Sequence, residues 1–146
     1  QICIYLAGDG DRKVNIKQIA DKNCLDVRFL RYKNQDEVIE LYAACDFFLM
    51  PSLSDANPLT CVEALWAGKP LLVSNHVGNY PEAISEGNNG YVFSYEDSKG
   101  LDEILNMIIG KKYDWYANAK NVSLKIAEST YNPEKSVERI LKEWKK

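Results

Sequence analysis

Short apolar runs alternate with stretches of helical period along most of this chain, and no other feature restricts its fold so strongly. Residues 2–7 form a β-rich run that stops at Gly8-Asp9-Gly10 and read as a buried strand followed by a tight turn. Residues 14–20 carry Val14, Ile16, Ile19 and Ala20 at helical spacing. A second strand is expected at 27–30, a helix at 36–45 (Val38, Ile39, Leu41, Tyr42), and a third strand at 47–50, apolar on both faces. A helix at 58–67 should bury Leu59, Val62, Leu65 and Trp66 and stop at Gly68. A strand at 71–73, a short helix from Pro81 and a strand at 91–93 follow. Helices at 101–109, 113–127 and 133–144 close the chain, the last capped by Asn132 and burying Val137, Ile140, Leu141 and Trp144. This order predicts an α/β fold: a doubly wound, Rossmann-like parallel sheet with helices on both faces and C-terminal helices. Such sheets take ligands beyond the carboxyl ends of their strands, which here means the loops at 8–11, 31–35, 51–57 and 74–80.

The 146 residues suit one domain, and a net charge of −3 offers no field for nucleic acid. No apolar run approaches the roughly 20 residues of a spanning helix. The opening residues from Gln1 read as a strand already under way, without an initial Met, so a piece of a longer cytoplasmic protein is expected. Cys3, Cys24, Cys45 and Cys61 form no C-x-x-C pair and are expected as reduced, mostly buried thiols. One histidine gives metal ligation little to draw on, so no metal is expected.

Residues 49–81 hold the richest chemistry. Asn57 reads as an N-cap and Pro58 as the first helical residue, leaving the amides of Leu59, Thr60 and Cys61 facing back toward the loop. A helix N-terminus at a strand's carboxyl end suits a phosphate. Asp55 and Glu63 flank it and could accept hydrogen bonds from sugar hydroxyls. On the pattern alone a solvated loop Asp55 and a surface Glu63 are the simpler account. Gly8-Asp9-Gly10 allows close approach to the backbone but is not a full G-x-G-x-x-G. His76 could bind a phosphate or donate a proton, although a solvated loop histidine is the simpler reading. No serine pairs with a histidine and carboxylate in a nucleophile pattern. Tyr113, Trp115 and Tyr116 read as packing. Lys135, Arg139, Lys142, Lys145 and Lys146 read as a solvated basic face, with a peripheral membrane contact of the full protein as the sharper alternative.

The ordered set Pro51-Ser52, Asp55, Pro58-Leu59, Glu63-Ala64-Leu65, Gly68, Pro70, Ser74, Val77-Gly78 and Pro81-Glu82 resembles the signature of the group-1, retaining glycosyltransferases of GT-B fold. Residues 6–10, 27–30, 37–52 and 86–93 are similar to the segments around that signature. The resemblance implies the C-terminal, donor-binding domain of such an enzyme, the N-terminal acceptor domain and the first strand of this domain lying upstream. It implies transfer of a sugar from a nucleotide-diphosphate sugar, UDP- or GDP-linked, with retention, in polysaccharide or glycolipid synthesis at the inner face of the membrane. Of the catalytic candidates, Asp55 would contact sugar hydroxyls and Glu63 the ribose. The amides of residues 57–60 (Asn57, Pro58, Leu59, Thr60) would hold the diphosphate. Gly8, Asp9, Gly10, Arg31 and Tyr32 would border the base.

The chain departs from the family pattern in three places. Asp55 is one methylene shorter than the usual glutamate. Ala56 and Asn57 replace a glycine and an aromatic. The loop before Pro81 is one residue longer, and His76 has no counterpart. An arginine and a lysine of the family would precede Gln1. The implied chemistry is stabilisation of the leaving diphosphate by fixed amides and a helix dipole, with attack on the leaving group's side, Asp55 binding rather than attacking, and no metal or cofactor. The isolated chain should then bind donor weakly and turn over nothing. The alternatives are a sugar-nucleotide epimerase, a degenerate donor domain, or a non-catalytic regulatory module such as a receiver. The receiver is disfavoured because the third strand ends Phe48-Leu49-Met50-Pro51, without an aspartate.

Overall fold

The computed structural model describes residues 2–144. Gln1 and two residues of the expected basic face, Lys145 and Lys146, lie outside them. The chain divides into two compact units, one ending at Leu41 and the other beginning at Tyr42.

In the first unit β1 (Cys3–Ala7) pairs in parallel with β2 (Asp26–Leu30), Ala7 opposite Leu30. The loops after Ala7 and after Leu30 therefore leave the same edge. Helix α1 (Lys13–Lys22) follows the first loop and α2 (Gln35–Ala44) the second. Asn34 and Glu37 start α2 reciprocally: the Glu37 amide donates to Asn34 Oδ1 at 2.9 Å and the Asn34 amide to a Glu37 carboxylate oxygen at 3.1 Å. The expectation of a buried first strand fails, because Tyr5 is exposed and Ala20 is the one buried hydrophobic residue among those described in this unit. Val14, Ile16 and Ile19 are exposed as well. A two-stranded sheet with short helices is too small to enclose side chains on both faces.

The second unit holds β3 (Phe48–Met50), β4 (Leu71–Ser74) and β5 (Gly90–Phe93), all parallel and paired in that order. Around them lie α3 (Leu59–Trp66), α4 (Tyr80–Ala83), α5 (Ser98–Ile109), α6 (Tyr113–Thr130) and α7 (Pro133–Trp144). Every residue of β4 is buried, as its central position requires. Leu71 and Val73 join Cys61, Leu65, Val77, Ala83 and Ala127 on one face. Leu72 joins Tyr91, Phe93 and Ile108 on the other. Helices thus cover both faces, as the strand–helix alternation predicts. β3 is not enclosed in this way: Leu49 is exposed at the edge.

Two aromatic residues of the expected packing cluster do pack. Trp115 stacks on Phe47 at 5.7 Å and on Tyr91 at 6.3 Å, with Tyr116 edge-on, whereas Tyr113 is exposed. Buried Asn89 donates to Ala83 O and to Ser123 Oγ, which donates on to Lys69 O, tying α6 to the turn after α3. Gly68 ends α3 in the left-handed region (φ 67°), returning its amide to Leu65 O while Lys69 N–H reaches Ala64 O.

Three burial expectations are corrected. Leu59 and Trp66 are exposed, and Cys61, Ala64 and Leu65 form the buried stripe of α3. Asn132 does cap α7, accepting from Glu134 and Lys135, but Val137, Ile140, Leu141 and Trp144 are all exposed. Amphipathic spacing marks which residues share a face, and whether that face meets anything depends on what surrounds it. Of the cysteines, expected as mostly buried, Cys61 alone is buried, Cys3 and Cys45 are half-buried and Cys24 is exposed.

Candidate functional site

Met50 and Ser74 end adjacent parallel strands, so the loops at 51–57 and 75–79 emerge at one edge of the sheet. The two loops are laced together. Ser74 Oγ donates to Ser52 O, Asp55 N–H to His76 O at 3.3 Å, and Gly78 N–H to Asp55 O at 2.7 Å. Asp55 and Val77 form a parallel bridge. A side chain at position 78 would meet Ala56 O at 2.3 Å, so only glycine permits this approach.

Asn57 is not the N-cap. The Asp55 carboxylate Oδ1 accepts the Asn57 amide at 3.1 Å, folding the loop into an Asx turn. Asn57 turns its own Oδ1 to Asn79 Nδ2 (3.1 Å), which also lies 3.4 Å from Pro58 O. Buried Pro58 then takes the N-cap position with extended φ and ψ, and α3 begins at Leu59. The Cys61 amide is taken by Pro58 O at 3.1 Å. Of the expected amide set, Pro58 has no N–H, and those of Asn57 and Cys61 are occupied. Leu59 and Thr60 keep unpaired amides among the described residues, at the positive end of the helix dipole.

Glu63 is exposed one turn further along, and its Oε2 accepts from the Tyr42 hydroxyl at 3.2 Å. That hydroxyl also lies 3.2 Å from Thr60 O. Burial and the neighbouring Glu63 raise the Tyr42 phenol far above its ordinary range, so it remains a donor. Burial, with Asp55 nearby, pushes the Cys61 thiol up to about 12. The structure thus brings Asp55, Asn57, Pro58, Leu59, Thr60 and Glu63 together.

The residues expected to border the base belong to the first unit. Gly8 (φ 125°), Asp9 and Gly10 are exposed in the loop after β1, with Asp9 paired to Lys13 at 3.3 Å. Arg31 is held by Glu37 at 2.6 Å and donates to Tyr32 O, while Tyr32 is 79% exposed. Lys33 also meets Glu37, and these partners hold the Glu37 carboxyl below its ordinary range. His76 is not merely solvated: its Nε2 lies 3.1 Å from Glu96 Oε1, and Tyr95 stands edge-on to the ring. Lys135 pairs with Glu128, and Arg139 donates to Ser129 O. No group of three or more His, Cys, Asp or Glu suited to a metal ion occurs among the described residues. None of their helices is long and apolar enough to cross a membrane.

Sequence reasoning missed Tyr42 and Asn79. In the sequence Tyr42 falls on an apolar helical stripe, and Asn79 is one polar residue among several in its loop. Both gain their partners from segments far away in sequence.

The model of the family described as "Glycosyl transferases group 1" matches residues 1–123. The chain belongs to this family. N-acetyl-alpha-D-glucosaminyl L-malate synthase of Bacillus anthracis is 28% identical to this group-1 chain over 142 residues, covering 97% of it and 35% of the relative. Spore coat protein SA of Bacillus subtilis is 32% identical over 123 residues, covering 82% of the chain and 32% of the relative. The group-1 chain therefore spans about a third of the length of these relatives. Among solved structures, Anabaena Alr3699/HepE in complex with UDP-glucose superposes with a TM-score of 0.82 at 23% identity, over 99% of this chain and 41% of that one. The shared fold is the Rossmann-like, GT-B arrangement of parallel strands and covering helices.

Proposed function

We propose that this chain is the C-terminal, donor-binding domain of a retaining glycosyltransferase that moves a sugar from a nucleotide-diphosphate donor to an acceptor bound by the enzyme's N-terminal domain. The observation that carries the reading is the entrance of α3, where the free amides of Leu59 and Thr60 stand between two carboxylates, Asp55 and Glu63. Family membership supports the reaction class, and the UDP-glucose complex of Alr3699/HepE supports a nucleotide-sugar ligand for a fold of this kind.

Breaking the anomeric bond loads negative charge onto the leaving diphosphate. Two preorganised amides and the α3 dipole stabilise that charge without reorganising during the reaction. Asp55 spends Oδ1 on the Asn57 amide, and its Oδ2 remains available to a sugar hydroxyl. Occupied in this way it binds rather than attacks. Glu63 Oε1 faces no protein donor among the described residues and is available to ribose hydroxyls. A role in polysaccharide or glycolipid synthesis, at the inner face of the membrane, belongs to this reading.

Calorimetric titration of the full-length protein with UDP- and GDP-sugars, beside its Glu63→Ala variant, tests the proposal. Binding weakened at least about tenfold by the substitution is expected. No binding, or equal binding by the variant, overturns the site assignment. Product analysis with labelled donor separates transfer from epimerisation.

A further inference from the structure

Glu63 stands on an exposed helical turn, where an unrestrained glutamate samples several rotamers and loses that freedom whenever it grips a ligand. In this protein it is not unrestrained. The Tyr42 hydroxyl lies 3.2 Å from Glu63 Oε2 and 3.2 Å from Thr60 O, one turn earlier on the same helix. The phenol thereby references the carboxylate to the backbone of the first turn of α3, the turn that presents the free amides. The tyrosine ring is itself placed by packing on Phe48 of β3, with centroids 5.8 Å apart and planes inclined by 57°. A chain of contacts from strand to ring to carboxylate therefore sets where Glu63 points.

We propose that Tyr42 is a positioning residue for ribose recognition, holding Glu63 Oε2 so that Oε1 is presented to the nucleotide's vicinal diol. This rests on the donor-site reading of Glu63 given above. One hydroxyl carries one proton, and of its two neighbouring acceptors the ionised carboxylate is the stronger. The raised phenol affinity for its proton keeps Tyr42 a donor across the working pH range. Oε2 is thus satisfied within the protein, while Oε1 has no protein donor among the described residues. A carboxylate anchored at one oxygen discriminates strongly between a sugar with both hydroxyls and one lacking the 2′-hydroxyl. A freely rotating carboxylate discriminates less, because ordering it consumes part of the gain.

The test uses the full-length protein and four probes: UDP, 2′-deoxy-UDP, GDP and 2′-deoxy-GDP. Affinities are measured by calorimetry for wild type, Tyr42→Phe, Glu63→Gln and the double variant, with thermal unfolding recorded for each. Tyr42→Phe keeps the ring that packs on Phe48 and deletes only the hydroxyl. The expected result is a ribose-over-deoxyribose preference that falls about three- to tenfold in Tyr42→Phe, through weaker binding of the ribonucleotide alone. In the Glu63→Gln background the same substitution should change the preference by less than about twofold, the coupling that marks action through Glu63. A merely structural tyrosine would weaken both nucleotides equally and leave their ratio unchanged. If wild type and Tyr42→Phe show the same preference, this inference is overturned while the donor-site reading stands. If wild type binds none of the probes, or binds ribose and deoxyribose forms alike, the reading of Glu63 falls and this inference with it.

Discussion

Gly78→Ala tests the lacing of the two loops at the candidate site. The added methyl would stand 2.3 Å from Ala56 O and 2.9 Å from the Ala56 carbonyl carbon. Ordinary contact begins near 3.4 Å, so the two backbones must part by about 1 Å. The Gly78 N–H···O Asp55 bond, now 2.7 Å, would then stretch to about 3.7 Å and be lost. Overpacking costs about 1–3 kcal/mol and the lost bond about 1 kcal/mol, while the stiffer unfolded chain returns about 0.4–1 kcal/mol. A net loss of about 1–4 kcal/mol is expected by urea unfolding. The Asx turn at Asp55 and the entrance of α3 shift with the loop, so donor affinity should fall by more than about tenfold. Gly90→Ala is the comparison. Its methyl would meet Leu71 O at 2.1 Å inside the buried β4–β5 pairing, where nothing can move aside, and it should unfold the protein outright. Unchanged stability and unchanged donor affinity in Gly78→Ala would refute the account of two laced loops.

Asn79→Asp exchanges the amide that donates to Asn57 and Pro58 for a buried carboxylate facing two acceptors beside a proposed anion site. A loss of about 2–4 kcal/mol in unfolding free energy is expected, and UDP affinity should fall more than UMP affinity. Timed alkylation followed by mass spectrometry should label exposed Cys24 first. Buried Cys61, its thiol pushed up to about 12, should stay unmodified at pH 8 until the protein is unfolded. The Glu37 carboxyl is lowered by Lys33, the Asn34 amide and Arg31, so its contribution is present above the unfolded-state value and lost as pH falls through the folded one. Glu37→Gln should lower stability at neutral pH and converge with wild type as pH falls below about 4, which flattens the acid limb of the profile. A profile identical to wild type would deny that pairing.

The order of strands and helices, the parallel sheet, the end of α3 at Gly68 and the nearness of Asp55 to Glu63 were legible because each is written in local chemistry. Hydrophobic period, turn glycines and caps act over a few residues. Asn132 caps α7 for the same reason. Partnership across distance could not be read in this way. Asn57 has the side chain of an N-cap, yet Asn79, 22 residues on, claims its oxygen while Asp55 claims its amide, and the cap position passes to Pro58. Tyr42 and Glu63 are 21 residues apart and meet only because β3 sets the ring of one against the helix of the other. Spacing likewise marked Val137, Ile140, Leu141 and Trp144 as sharing a face and said nothing of whether that face is covered. The sequence by itself determined the fold class, the family and the stretch that holds the candidate site. Only tertiary structure decided which amides stay free, which carboxylate oxygens are spent and which residues hold them, because a hydrogen-bonding group has several candidate partners until the fold brings one within reach.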